Sequence, residues 1–161
     1  MKLVICEKPS VGAAVAAALG VTGKKDGYIE NDKYIISWCI GHLVQLSEAA
    51  AYGEQYRKWS YDSLPILPQE WQYTVAADKG KQFKILKDLM HSADVSEVVN
   101  ACDAGREGEL IFRFVYHQAG CKKPFTRLWI SSMETGAIKS GFDNLKDGRE
   151  YDALYHSALC R

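Results

Sequence analysis

A cluster of charged residues follows the apolar segment "EVV" in the middle of the chain, within the sequence "NACDAGREGELIF". The cluster contains Asp103, Arg106, Glu107 and Glu109. Another carboxylate, Glu7, directly follows the apolar run "KLVIC". Carboxylates gathered in one place can bind a divalent cation or transfer protons, so these residues are the first candidates for chemistry.

Two strand-and-helix units hold these acids. "KLVIC" and "EVVNAC" have the continuous apolar character of parallel strands that are covered on both faces. The first is followed by the helical segment "VGAAVAAAL", which we expect Ser10 to cap and Gly20 to close. The second is followed by the helical segment "GREGELIFRFVYHQAG". Ligands of open α/β sheets lie at the carboxyl ends of the strands, so Glu7 and Asp103 should share one crevice if their strands are neighbours.

The remaining segments complete an alternating pattern. "GYIENDKYIISWCIGHLVQL" predicts a hairpin around Asn31 and Asp32, followed by a longer strand. "DKGKQFKILKDLMHSA" predicts a helix that Asp78 caps, "FTRLWISS" a third strand, and "SMETGAIKSGFDNL" a helix that Ser132 caps. The stretch "AAYGEQYRKWSYDSLPILPQEW", which holds two prolines and many aromatic residues, predicts a packed loop with little regular structure. The fold class is therefore α/β, with a mostly parallel central sheet, helices on both faces and a β-hairpin insertion.

Helical spacing places the two acids that follow Asp103, Glu107 and Glu109, on different sides of the predicted helix. The predicted sheet-facing side of this helix is marked by Leu110, Ile111 and Phe114. Glu107 precedes the first two by three and four residues, which places it on the same side, where the helix start opens onto the crevice. Glu109 is rotated away from the crevice, and the helix dipole alone can explain an acid in the first turn.

The convergent set is then Glu7, Asp103 and Glu107. Three carboxylates at one strand edge repel one another unless a positive group joins them, and a hard divalent cation does so. Mg²⁺ in particular completes its shell with water or with substrate phosphate. Gly105 and Gly108 leave the backbone accessible for a close approach.

Composition limits the class of protein. The chain has 161 residues and a formal net charge of zero, which argues against a module held to DNA by bulk charge but allows metal-assisted phosphate chemistry. Its 5 cysteines include no C-x-x-C pair, so we expect neither a zinc site nor disulfides. No apolar run approaches the ~18 residues of a membrane span. A reducing cytoplasm fits this composition best.

Two motifs resemble one family. "VICEKPSVG" and "NACDAGREGELIFR" together resemble the Toprim domain of type IA DNA topoisomerases, specifically the bacterial topoisomerase III group. "IGHL", "LPILP", "TRLWISSM" and "AIKSGFDNL" also match, in order, over nearly the whole chain. The resemblance implies a Toprim domain over residues 1–150. Residues 151–161 would begin a following helical domain, because the amphipathic pattern "REYDALYHSALCR" stops abruptly, as in an N-terminal fragment.

The resemblance also implies an activity. Such enzymes cut one DNA strand, pass another through the gap and reseal it, through a tyrosine joined to the 5′ phosphate and with the help of Mg²⁺. By position, Glu7 matches the catalytic glutamate, a general acid for the leaving 3′ oxygen and a metal ligand. Lys8 matches the lysine that stabilises charge on the scissile phosphate, and Asp103 and Glu107 match two metal-binding acids. Arg106 could clamp a DNA phosphate or pair with a neighbouring acid.

The chain departs from the family pattern at two points. Gly105 replaces the middle acid of the D-x-D-x-E metal motif, so we expect weak Mg²⁺ binding without DNA. None of the 9 tyrosines lies in a motif that matches the nucleophile, so the fragment alone should be inactive. The implied partners are single-stranded DNA and the remaining domains of the longer enzyme, in the cytoplasm at the nucleoid and away from membranes.

Alternatives remain at this point. A stand-alone Toprim nuclease or nucleotidyl transferase would use the same acids. A receiver-like module is disfavoured, because it needs a lysine at a later strand end and "TRLWISS" has none. We expect His42 to be a satisfied structural histidine and the tryptophans to be core residues rather than base-stacking ones. We expect a solvated helix face for Lys79, Lys81, Lys84 and Lys87.

Overall fold

Strands and helices alternate along most of the chain in the structure, a computed structural model that describes residues 1–58 and 60–160. These described residues form the strands β1 Lys2–Cys6, β2 Gly23–Lys25, β3 Tyr28–Glu30, β4 Tyr34–Trp38, β5 Val44–Leu46, β6 Tyr73–Val75, β7 Glu97–Ala101, β8 Phe125–Arg127 and β9 Lys146–Asp147. They also form the α-helices α1 Pro9–Leu19, α2 Gly80–His91, α3 Arg106–Gln118, α4 Thr135–Asp143 and α5 Asp152–Leu159.

Seven strands form the central sheet, in the order β2-β3-β4-β1-β7-β8-β9. The four inner strands β4, β1, β7 and β8 run parallel, and the outer strands pair antiparallel. β1 lies in the centre, where Cys6 pairs with Trp38 of β4 on one side and with Ala101 of β7 on the other. The predicted α/β class with a mostly parallel sheet is confirmed.

The predicted hairpin is formed by β3 and β4, which both belong to the central sheet. The Asn31 side-chain oxygen accepts hydrogen bonds from the backbone N–H groups of Lys33 and Tyr34, at 2.9 and 2.8 Å. Such an Asx turn suits a tight reversal, which is why this asparagine lies between the strands. β5 and β6 form a separate two-stranded sheet, and three short 3₁₀ turns lie among the described residues between them, 47–58 and 60–72.

Two apolar layers pack on the two faces of the sheet, because successive strand residues point to opposite sides. Helices α2 and α3 cover one face, and α1 and α4 cover the other. The first layer includes Leu3, Ile5, Leu86, Ile111 and Phe112, and the second includes Val4, Val15, Ile36 and Ile138. Each such side chain stabilises the fold by about 1.5–3 kcal/mol when fully buried. No helix within residues 1–58 and 60–160 is long and apolar enough to span a bilayer.

The predicted caps of three helices are wrong. α1 begins at Pro9, after an extended Lys8, so Ser10 lies inside the first turn and caps nothing. Proline suits this position because its fixed φ is helical and its missing N–H is not needed there. The Ser132 hydroxyl accepts the N–H of Glu134 (3.2 Å), which lies just outside α4, and Asp78 lies in a 3₁₀ turn before α2.

Helix α3 presents a different buried face from the predicted one. Ile111, Phe112 and Val115 are buried, whereas Leu110 and Phe114 are only partly buried. The reason is that α5 packs against α3, so that α3 has apolar neighbours on more than one side. "FTRLWISS" is also less regular than predicted, because β8 ends at Arg127.

The tryptophans do not form a common core. Trp38 is partly buried and packs against the α1 side of the sheet. Trp71 and Trp129 are 55% and 45% exposed, so the prediction of a core role is wrong for both. Trp59, for which the same prediction was made, lies outside the described residues.

Candidate active site

The carboxyl ends of β1 and β7 bring two of the predicted acids together. Glu7 follows the last residue of β1, and Asp103 comes two residues after the end of β7. Because the two strands are parallel neighbours, both residues emerge at the same edge. The backbone N–H of Asp103 donates a hydrogen bond to a carboxylate oxygen of Glu7 at 3.3 Å.

Lys8 adds a positive charge at this edge. Its ammonium nitrogen lies 3.9 Å from a carboxylate oxygen of Asp103, and about half of each side chain is exposed. Ion pairs with this exposure contribute only about 0–1 kcal/mol. Lys8 can therefore exchange Asp103 for another anion, such as a phosphate, at little cost.

Glu107 lies in the first turn of α3 and points toward a partner that the sequence did not indicate. Its carboxylate pairs with Nε2 of His42, which follows the end of β4, the neighbour of β1 on the other side. The Lys79 ammonium donates to the backbone carbonyl of His42 at 2.9 Å. His42 thus lies at the same edge of the sheet as Glu7, Asp103 and Glu107, which we call the acidic edge. In the sequence, the signal for this location was the place of His42 after a parallel strand.

The basic residues near the edge differ in their surroundings. Arg106 is exposed at the start of α3, and in residues 1–58 and 60–160 its guanidinium makes no ion pair. Lys81 and Lys84 form exposed pairs with Asp26 and Asp88, as a solvated face would. Only Lys79 of this group turns toward the edge, through its bond to His42.

A buried arginine, Arg127, holds the turn between β7 and α3 that carries Asp103, which we call the Asp103 turn. The guanidinium of Arg127 is fully buried and donates to the backbone carbonyls of Cys102 and Asp103, at 2.6 and 2.7 Å. Burial lowers the pKa of Arg127, and the carboxylate of Glu109 opposes this shift. These bonds fix the two carbonyl groups that precede α3, so the backbone that carries Asp103 is held in one position.

Glu109 is the partner of Arg127. It is not a surface acid that is stabilised by the helix dipole alone. Its side chain is fully buried, and its carboxylate lies 3.0 Å from Arg127 and 2.8 Å from Arg113. Asn100 donates to the same carboxylate at 3.0 Å. A buried carboxylate requires such partners, because an unpaired charge in the interior is strongly unfavourable.

The two glycines of the motif have different roles. A Cβ at Gly108 would lie 2.1 Å from the backbone oxygen of Asp103, so only glycine allows α3 to approach this turn. A Cβ at Gly105 would meet nothing within 4 Å, and its φ of 168° is extended backbone that any residue adopts. Gly105 faces open space, as the prediction of an accessible backbone requires, whereas the backbone of Gly108 is buried against Asp103, so that prediction is wrong for Gly108.

Three thiols lie beneath the edge. Cys6 and Cys102 are buried, as predicted, and Cys39 lies beside them. Burial, with a smaller contribution from Cys39, raises the pKa of the Cys6 thiol. A hydrogen bond to Cys39, together with burial, raises the pKa of the Cys102 thiol. The thiols of Cys6 and Cys102 are therefore neutral packing groups at physiological pH.

The donor set at this edge suits a hard cation, but it is not assembled around one. Among residues 1–58 and 60–160, no three His, Cys, Asp or Glu side chains are close enough to hold a metal ion together. The carboxylate of Asp103 is paired with Lys8, and that of Glu107 with His42. Both side chains are about half exposed or more, at 48% and 60%. Their oxygens are the ligand type that Mg²⁺ prefers.

Comparison with known proteins agrees with this arrangement. The family model of the Toprim domain matches residues 2–133. The chain is 46% identical over 159 residues to DNA topoisomerase 3 of Staphylococcus haemolyticus and 45% identical to that of Bacillus subtilis. These matches cover 99% of the chain but only 22% of each relative, so the chain spans about a fifth of their length.

A solved structure shares the fold. Full-length topoisomerase I from Thermotoga maritima superposes with a TM-score of 0.64 at 18% identity, over 99% of this chain and 23% of that one. The predicted resemblance is confirmed by these matches, and since the family model covers most of its length, the chain belongs to the Toprim family.

Proposed function

We propose that this chain is the Toprim half of a type IA DNA topoisomerase active site, with residues 151–161 forming the start of a further domain. The adjacency of Glu7 and Asp103 at the ends of two parallel neighbours, β1 and β7, carries the proposal. An acidic edge beside a lysine that can leave its carboxylate partner suits phosphodiester chemistry. In that chemistry, negative charge develops on the phosphate and must be neutralised by nearby positive groups.

The proposed reaction uses Glu7, Lys8 and Arg106 of this edge together with a tyrosine from outside the chain. A tyrosine from a part of the enzyme outside this chain gives its phenol proton to water, its oxygen attacks the scissile phosphorus, and the bond from phosphorus to the 3′ oxygen breaks. Glu7, as general acid, gives its proton to that leaving oxygen, and the 5′ phosphate stays joined to the tyrosine. Lys8 leaves Asp103 to contact the scissile phosphate, and Arg106 contacts a phosphate of the same strand. Resealing is the reverse of these steps.

Glu7, Asp103 and Glu107 would hold Mg²⁺ at this edge. Bound there, the ion would reduce the repulsion among the carboxylates and neutralise charge on the phosphate. Glu107 would first exchange His42 for the ion, and Gly105 supplies no carboxylate. Both points favour weak binding until a phosphate is present. The substrate would be single-stranded DNA, handled in the cytoplasm at the nucleoid.

A domain exchange tests the proposal. This chain replaces the matching segment of Bacillus subtilis topoisomerase 3, and relaxation of supercoiled plasmid is measured with Mg²⁺. The exchanged protein should relax plasmid, and Glu7→Gln should slow it by about 100-fold or more, the contribution of a general acid. Lys81→Met, which removes only an exposed ion pair with Asp26, is the control. A folded Glu7→Gln protein with an unchanged rate would overturn the proposal.

A cleavage assay on the isolated chain distinguishes the proposed topoisomerase fragment from the alternative, a stand-alone nuclease or nucleotidyl transferase. With Mg²⁺ and single-stranded DNA it should show no cleavage, because the nucleophile is expected elsewhere. Cleavage that Glu7→Gln abolishes would support the alternative instead.

A further inference from the structure

The exposed ring of Trp129 is held rigidly. It stacks on Tyr151, with ring centroids 5.2 Å apart and planes inclined by 23°. The guanidinium of Arg127 lies 5.2 Å from the centroid of the Trp129 ring and 6.0 Å from that of Tyr151. Because Arg127 is itself fixed by the carbonyls of Cys102 and Asp103, the indole has a prearranged orientation although 45% of the residue is exposed.

Trp129 also lies at the acidic edge. β8 runs parallel to β7 and ends two residues before Trp129, and the N–H of Leu128 continues the ladder by donating to the carbonyl of Asn100 at 2.9 Å. The indole therefore emerges one strand away from Asp103. A single side chain, that of Arg127, contacts both the indole and the Asp103 carbonyl.

A cleft lies beside the ring, between Trp129 and helix α4. It has a volume of about 410 Å³, and its other lining residues are Ile130, Ser131, Ala137, Ser140, Gly141 and Asn144. This volume is within the range of small-ligand sites, roughly 300–1,000 Å³. The lining combines one aromatic surface with two hydroxyl groups and one carboxamide. That combination suits a planar, polar-edged group.

A second exposed tryptophan, Trp71, has different surroundings. Trp71 meets Tyr52 edge to face, with centroids 6.0 Å apart, and lines an apolar cavity with Leu46, Tyr73 and Leu159. An apolar surface of this kind suits a protein contact. The cleft at Trp129 is more polar and lies beside the acidic edge, so the two rings are expected to bind different partners.

We propose that the cleft at Trp129 binds one nucleobase of single-stranded DNA, which stacks on the indole while the strand's phosphates pass the acidic edge. The inference rests on the proposed function, because it requires a DNA strand at this edge. A single strand is needed since the face of a paired base is covered by its neighbours in a duplex.

Fluorescence anisotropy with a labelled single-stranded oligonucleotide tests this on the isolated chain. Trp129→Ala should weaken binding by about 5- to 150-fold, the usual effect of losing one base–aromatic stack. Trp129→Phe should retain most of the affinity, and Trp71→Ala, the matched control, should bind like the unchanged chain. A series of oligonucleotides, each with one abasic site at a different place, locates the stacked base. At one of these places the abasic site should make Trp129→Ala and the unchanged chain bind DNA with equal affinity.

Tryptophan fluorescence gives a second measurement in case Trp129→Ala does not fold. DNA should quench the emission of the unchanged chain, and the quenching should be largely lost in Trp129→Phe, which keeps an aromatic ring on Tyr151. Equal DNA affinity and equal quenching in folded variants would overturn the stacking site and leave the proposed function intact. An effect of Trp129→Ala on self-association alone would mean a protein contact and would also overturn it. Failure of the unchanged chain to bind DNA would count against both proposals.

Discussion

At the scale of single residues, the two glycines of "DAGREGE" have opposite requirements. Gly108 brings the start of α3 against the backbone of Asp103, whereas Gly105 faces open space. The motif thus combines one position that steric contact restricts to glycine with one that could accept a side chain. This difference leads to two predictions.

We expect Gly108→Ala to destabilise the protein by about 1–3 kcal/mol, the usual cost of forcing an extra methyl group into a packed site. The added Cβ would lie 2.1 Å from a backbone oxygen that Arg127 holds in place, so the neighbouring backbone must shift. Urea unfolding measures the change. Gly105→Ala is the control and should not destabilise; equal unfolding midpoints for the two variants would contradict this explanation.

Gly105→Asp should strengthen Mg²⁺ binding by about tenfold, because affinity for a hard cation rises with the number of carboxylate ligands. The site offers room for the new side chain. Isothermal titration calorimetry on the isolated chain measures the effect. Gly105→Asn, which adds similar bulk without charge, should change the affinity much less. An Asp variant that binds Mg²⁺ no better than the Asn variant would mean that position 105 does not face the ion.

At the scale of elements, helix α3 carries exposed and buried charges within one turn. Arg106 and Glu107 are exposed at its start, while Glu109 lies in the interior between Arg113 and Arg127. Arg113 also pairs with Asp152 at the start of α5, at 2.7 Å. The buried ions therefore connect the sheet, α3 and α5, and link the stability of the fold to the position of the Asp103 turn.

Glu109→Gln should destabilise the protein by about 3–5 kcal/mol, because it leaves two buried guanidinium groups without their shared carboxylate. The matched control is Asp88→Asn, which makes the same chemical change in the exposed pair with Lys84. The free energy of unfolding of that variant should fall by only about 0.3–0.5 kcal/mol. Chemical denaturation measures both variants, and similar losses would show that the buried network contributes little.

The sequence was sufficient to predict the main strands and helices, but not the short strands β2, β6 and β9 or the buried polar contacts. Hydrophobic runs and glycine stops predicted β1, β7 and α1, and parallel strands placed Glu7 beside Asp103. The buried position of Glu109 could not be predicted, because a charged residue in a first turn has the pattern of a surface residue. Its partner Arg127 comes from a strand later in the chain. The pairing of Glu107 with His42 depends likewise on residues that only the tertiary structure brings together.

At the scale of the whole molecule, the interior keeps four of the five cysteines from solvent. Cys6, Cys39, Cys102 and Cys121 are buried, and Cys160 is exposed. At pH 8 a thiol reagent should modify about one cysteine per folded chain, since burial keeps the reagent from the other four thiols and also raises the pKa of Cys6 and Cys102. All five should react in denaturant. Cys160→Ser should remove the fast reaction, and rapid reaction of a second thiol in the folded variant would mean that the sheet edge opens readily.

The central position of β1 has a consequence for the order in which the molecule can form on the ribosome. Glu7 and Asp103 are 96 residues apart in the chain. At a synthesis rate of ~5–20 residues per second, β1 waits on the order of 5 to 20 s for β7 to emerge. Until then one side of an apolar strand stays unpaired, with β4 available for the other side. The nascent chain should therefore be a substrate for holding chaperones during that interval.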